Sequence, residues 1–151
     1  MVLIYSSIIL LLILDQGVKM WTAMTIPLNT GQAFIPNVLS LFHLRNTGAA
    51  WGILSDNLVF FFIVTILICA GMICWAHKQK RRNIEYVAYV LIFAGAVGNF
   101  IDRVRLGYVI DMFRFEFIDF PIFNVADICL TLGVTVMIVD ALVTEWKERG
   151  K

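Results

Sequence analysis

Two aspartates stand where a carboxylate is costly. Asp111 sits in the apolar run GYVIDMF, and Asp127 in FNVADICLTLG, at the entrance to a long apolar stretch. Charged side chains at membrane level face a cavity or each other, and they mark function. Two carboxylates held a few ångströms apart cannot both ionise easily, because repulsion raises one pKa and leaves the other low. The pair then titrates as a unit and shares one proton. Its ionised member takes a proton from water, which attacks a peptide carbonyl. Its protonated member donates to the carbonyl oxygen and later helps the amine leave. No metal or other cofactor is required. Asp127 is the first choice for such a pair and Asp111 the second. Asp119, in DFPIF, reads as a turn residue, and Glu116 and Asp56 as solvated loop charges.

Other hydrolytic chemistries lack their parts. Ser6, Ser7, Ser40 and Ser55 have no GxSxG context, and there is no HExxH. Cys69, Cys74 and Cys129 fall inside apolar runs without metal-binding spacing, and read as small apolar fillers. A carrier would string ionisable groups across the bilayer, whereas the apolar run 58–76 has none. A non-catalytic scaffold would not need two buried carboxylates. An intramembrane protease of the presenilin type would want GxGD within a span, and GNFID is not that pattern.

The elements that must position these groups are membrane helices. Hydrophobic residues make up 60% of the 151-residue chain and charged residues 15%, with a mean hydropathy of +0.85. That is too apolar for a soluble surface. A net charge of +1 and the lack of a basic, aromatic-studded groove exclude a nucleic-acid partner. The expected architecture is a single, mainly α membrane domain. Its four spans cover about 1–20, 58–76, 86–101 and 125–143, each near the 17–25 residues a bilayer requires. The first lacks the basic start and small-residue cleavage site of a signal peptide. Lys78, Lys80, Arg81 and Arg82 between spans two and three, and Lys147, Arg149 and Lys151 in the tail, share one side with the N-terminus. The positive-inside rule makes that side cytoplasmic. Regions 22–57 and 102–122 then face outward. VLSLFHLRN and YVIDMFRFEF alternate like strands, predicting a small sheet on the membrane surface.

On this topology the polar groups converge. Asp15 and Lys19, four apart, share a helix face at the outer end of span one. Asn99, Asp102 and Arg103 end span three, Asn124 and Asp127 begin span four, and Asn46 and Asp111 lie in outer regions. Asp15 with Lys19, and Asp102 with Arg103, are expected to form ion pairs. Asp140 is 13 residues beyond Asp127, about 20 Å deeper at 1.5 Å per residue, and is left out of the site.

Four segments in this order carry a family resemblance: DQGVK from Asp15, NTGAAWGIL from Asn46, GNFIDRVRLGYVIDMF from Gly98 and FNVADICLTLG from Phe123. Over its whole length the chain resembles lipoprotein signal peptidase (signal peptidase II), a family of bacterial membrane aspartic proteases. The resemblance implies catalytic aspartates at Asp111 and Asp127. It implies substrate-binding or supporting roles for Asp15, Lys19, Asn46, Gly48, Asn99, Asp102, Arg103 and Asn124. It implies cleavage of prolipoproteins before a diacylglyceryl-modified cysteine, in the cytoplasmic (inner) membrane with the site on its outer face. Membrane lipid and a cyclic peptide inhibitor of the globomycin type are the other implied partners. Val18, Trp51 and Met112 depart from the usual motif residues without removing a carboxylate, amide or basic group.

Overall fold

The computed structural model describes residues 2–48, 57–78 and 83–149. Ser55, Asp56, Trp51 with most of its motif, Lys80, Arg81, Arg82 and Lys151 lie outside the described residues. Among the described residues, four helices and a three-stranded sheet follow in the order α1 (Val2–Thr25), β1 (Gly31–Ile35), β2 (Leu39–Asn46), α2 (Leu58–Lys78), α3 (Asn83–Leu106), β3 (Val109–Phe115), α4 (Val125–Arg149). The fold is mainly helical, as the sequence predicts.

Helix ends follow local chemistry. α1 stops two residues before Pro27, whose ring disfavours helical backbone at Ile26. α3 runs past residue 101 to Leu106, because nothing breaks it before Gly107. That glycine adopts φ +82° and returns its N–H to the Arg103 carbonyl at 3.1 Å, a left-handed C-cap. Asp102 and Arg103 are therefore helical, with side chains projecting at fixed angles, rather than loop residues. α4 continues through Trp146 and Lys147 to Arg149, since EWKER holds no breaker.

Sequence also closes the sheet. Pro36 followed by Asn37 at φ 61°, with Val38 N–H on the Ile35 carbonyl at 3.0 Å, is the signature of a type II turn. It joins β1 to β2, and β2 pairs antiparallel with β3 to give the order β1-β2-β3. A register shift between Leu41 and Leu44 lies opposite the segment from Asp111 to Phe113. At this irregularity His43 is buried, with Nδ1 2.8 Å from the Ile26 carbonyl. The contact fastens the sheet to the end of α1.

α3 packs against α1, α2 and α4. With no hydrophobic drive between helices in lipid, close packing must hold them, and small residues permit it. Ala88, Ala94 and Ala96 are buried on α3, and a Cβ added at Gly95 would lie 2.4 Å from the Ala126 carbonyl of α4. The outward surfaces are apolar: Leu10, Ile13, Leu67 and Leu142 are all at least 60% exposed. Such a surface suits hydrocarbon rather than water. α1, Ile84–Leu106 and α4 are each long and apolar enough to cross a membrane, and α2 carries the shorter apolar stretch Leu58–Cys74.

Candidate active site

The start of α4 is a reciprocal cap. Asn124 precedes the helix, and its Oδ1 accepts the Asp127 N–H at 3.0 Å. Asp127 Oδ2 accepts the Asn124 N–H at 3.1 Å. This is the capping-box exchange with aspartate in the acidic role. The side-chain amide of Asn124 is then left pointing away from the helix. It donates to Asp111 Oδ1 at 2.6 Å and to Asn99 Oδ1 at 3.1 Å. One asparagine thus touches both carboxyl groups.

The neighbouring strands and helices complete the arrangement. Asp111, 1% exposed on β3, also accepts from Asn46 Nδ2 of β2 at 2.9 Å. Asn46 is itself oriented, because its Oδ1 takes the Gly48 N–H at 2.9 Å. Asp127 Oδ1 accepts from Asn99 Nδ2 of α3 at 2.7 Å. Burial, and next the charge of Asp127, push the Asp111 carboxyl up to about 7, against the opposing amides of Asn46 and Asn124 and the Lys19 charge.

Behind the asparagines lies a buried ion cluster. Lys19 Nζ meets Asp15 Oδ2 at 2.9 Å, Asp102 Oδ2 at 3.1 Å and Asn99 Oδ1 at 3.0 Å. An ammonium has three donors, and all three are used, so this cation supports the site without reaching into it. Asp15 Oδ1 accepts the Ala126 N–H at 2.9 Å, placing a carboxylate on the first turn of α4, where the helix dipole favours negative charge. Asp102 Oδ2 accepts the Ile110 N–H at 3.2 Å, fixing the backbone next to Asp111.

The expected Asp102–Arg103 ion pair does not form. Successive helical side chains diverge by about 100°, which sends Asp102 to Lys19 and Arg103 the other way. The Arg103 guanidinium donates to the Gly48 carbonyl at 3.1 Å and lies 4.2 Å from the centre of the Phe61 ring. The expected Asp15–Lys19 pair is present.

Of the polar side chains above, all but Asp15, Lys19 and Asp102 border one cavity of about 460 Å³. Asn46, Asn99, Arg103, Asp111, Asn124 and Asp127 line its polar end, and Phe115, Phe120, Phe123, Ile128 and Leu132 its apolar flank. The size fits a small-molecule or peptide site. No His, Cys, Asp and Glu cluster able to hold a metal occurs among the described residues. Asp140 borders a separate cavity with Glu85 and Glu148, as its depth on α4 requires.

Sequence reasoning missed Gln16. Its Nε2 donates to Asp102 Oδ1 at 2.8 Å and to Asp15 Oδ2 at 3.2 Å, while its Oε1 accepts from Arg105 at 3.4 Å. The signal was there: an amide next to Asp15 in a mainly apolar helix, three residues before Lys19 and so on a neighbouring flank.

Known proteins share this arrangement of helices and sheet. The sequence model of the Signal peptidase (SPase) II family matches residues 7–143. The chain is 44% identical over 147 residues to the lipoprotein signal peptidase of Enterococcus faecalis, covering 96% of this chain and 91% of that one. It is 46% identical over 143 residues to that of Streptococcus pyogenes serotype M1, covering 94% and 91%. Two solved structures, each described as a bacterial membrane enzyme determined by the in meso method, superpose closely. The 2.3 Å structure gives a TM-score of 0.94 at 38% identity, over 100% of this chain and 94% of that one. The 1.9 Å structure gives 0.87 at 41% identity, over 94% of each.

Proposed function

As the chain belongs to the signal peptidase II family of proteases, we propose that it removes signal peptides from lipid-modified prolipoproteins, cutting before the diacylglyceryl-cysteine with water activated by Asp111 and Asp127. The observation that carries this reading is the grip of Asn124 on both carboxyl groups, at the polar end of a cavity with an apolar flank. The polar end suits a peptide bond, and the flank suits acyl chains.

We assign the two carboxyls opposite protonation states. Asp127 is the acidic partner of the α4 cap, so the helix dipole and two N–H donors favour its carboxylate. Asp111, buried and held up at about 7, keeps the shared proton. Asp127 takes a proton from water as the oxygen attacks the scissile carbonyl carbon, and Asp111 gives its proton to the carbonyl oxygen. In the reverse half, Asp127 protonates the departing cysteine amine, the C–N bond breaks, and the diol returns a proton to Asp111. Both carboxyls end as they began. Arg103 and the amides of Asn46 and Asn99 supply donors at the cavity wall for substrate carbonyls.

The site lies at the sheet end of the bundle, and Lys147 and Arg149 at the opposite end of α4. This supports cytoplasmic termini and a site on the outer face of the cytoplasmic membrane. Purified enzyme incubated with lipid-modified and unmodified precursor, with and without a globomycin-type cyclic peptide, tests the assignment. Cleavage of the lipidated form alone, blocked by the cyclic peptide, is expected. Equal cleavage of both forms, or of neither, contradicts it.

A further inference from the structure

One ring of α2 touches the site. Asn57 caps that helix: its Oδ1 accepts the Phe60 N–H at 3.3 Å, and its carbonyl accepts the Phe61 N–H at 3.4 Å. Phe62, on the same turn, meets the Phe100 ring edge-on, with centres 5.4 Å apart. Phe100 stands three residues before Arg103, on a neighbouring flank of α3. The cap and the ring pair set α2 against α3. They leave the Arg103 guanidinium over the face of Phe61, its Cζ 4.2 Å from the ring centre.

Arg103 is otherwise loosely held. It makes no ion pair among the described residues. Its Nε is buried without a hydrogen-bond partner among them. The bond from Nη2 to the Gly48 carbonyl, at 3.1 Å, fixes one corner of the guanidinium and leaves its plane free to turn about that corner. An aromatic face within about 6 Å attracts the cation through the ring quadrupole, and so supplies a second point of attachment. A carboxylate in that place would take the fork for itself. A ring holds the cation and leaves both charge and donors to the cavity that Arg103 lines with Asp111 and Asp127.

We propose that Phe61 is a positioning residue: its ring holds the Arg103 guanidinium at the cavity wall in the orientation that receives a substrate carbonyl. The hold extends to the carboxyls. Gly48, whose carbonyl Arg103 takes, gives its N–H to Asn46 Oδ1 at 2.9 Å, and Asn46 Nδ2 donates to Asp111 Oδ2 at 2.9 Å. Ring, arginine, glycine, asparagine and aspartate thus form one chain of contacts from α2 to Asp111. The inference deepens the proposed function and rests on it.

The test replaces Phe61, by nonsense suppression, with mono-, di- and trifluorinated phenylalanine. Fluorine withdraws negative charge from the ring face and scarcely alters its bulk, so packing is kept while the attraction weakens step by step. On a lipid-modified precursor in detergent, well below the Tm of every variant, kcat/KM is expected to fall with each fluorine, by about tenfold in all, and as far in Phe61→Leu. Equal rates along the fluorinated series, whatever Phe61→Leu does, overturn the proposal, because the ring then only fills space. A second measurement needs no cleavage. The Tm is expected to fall along the series in the parent and to stay level in the Arg103→Met background, and an equal fall in both overturns the proposal. A parent enzyme that cleaves no lipidated precursor, with a Tm that still follows the fluorines through Arg103, sinks the protease reading and leaves the contact standing.

Discussion

Lys19 donates to the side-chain oxygen of Asn99 at 3.0 Å, and with the Asn124 amide on the same oxygen at 3.1 Å this bond sets which way the Asn99 amide faces. With Oδ1 committed to the ammonium, Nδ2 must turn to Asp127, which it meets at 2.7 Å. A cation that touches neither member of the proposed dyad thereby orients a donor onto one of them. Lys19→Met leaves Asp15 and Asp102 buried without their cation, a loss of about 3–5 kcal/mol. The expected result is a lower Tm in detergent and loss of cleavage. Lys19→Met/Asp102→Asn should regain much of the Tm while cleavage stays low, because the Asn99 oxygen is then held by the Asn124 amide alone. Full recovery of cleavage would show that the Lys19 contact with Asn99 is dispensable.

Asn124 does two jobs that substitution can separate. Asn124→Ala removes the helix cap, costing about 1 kcal/mol, together with the bonds to Asp111 and Asn99. Asn124→Ser keeps a capping oxygen and loses only the amide donor. Thermal unfolding should therefore distinguish the two variants, whereas precursor cleavage should fall in both, by about a hundredfold if the lost donor acts as other preorganised donors do.

The Asn46 amide stabilises the ionised form of Asp111. Removing it in Asn46→Ala favours the protonated form, so the Asp111 pKa rises further. Because the proposed mechanism needs Asp111 protonated, activity is lost on the alkaline side as pH passes that pKa, which is about 7 in the parent. The alkaline limb of the kcat/KM profile should move to higher pH in Asn46→Ala. A shift to lower pH would reverse the assigned role.

The glycines of the helix interfaces are not equivalent. A Cβ at Gly95 would press on the Ala126 carbonyl, and one at Gly98 would come 2.8 Å from Asp15 Oδ2, the oxygen that holds Lys19. A Cβ at Gly17 meets nothing within 4 Å. Gly95→Ala and Gly98→Ala should lower Tm and cleavage together. Gly17→Ala should leave cleavage intact and raise stability by up to about 1 kcal/mol through helix propensity.

The helices, the strands around Leu41 and Asp111, and the gathering of Asp15, Lys19, Asn99 and Asn124 were all legible in the sequence. Apolar runs leave few alternatives to helices, and a polar group in such a run must find a partner. The partners themselves were less legible. Asp102 turned to Lys19 rather than Arg103 because helix rotation outweighs adjacency, and α3 had first to be seen running to Leu106. The Gln16 bridge depends on the approach of α1 to α3, which Gly98 permits, and spacing within one helix does not reveal that approach. Every residue of strand β1 is exposed, so it carries no burial alternation that would announce it.

The central claim is that Asp111 and Asp127 together activate water. Its most direct test is the rate at which purified, folded Asp111→Asn and Asp127→Asn enzymes process a lipid-modified precursor. Loss of cleavage in each, with parental Tm and membrane insertion, is the predicted result. Processing at the parental rate by either variant would contradict it.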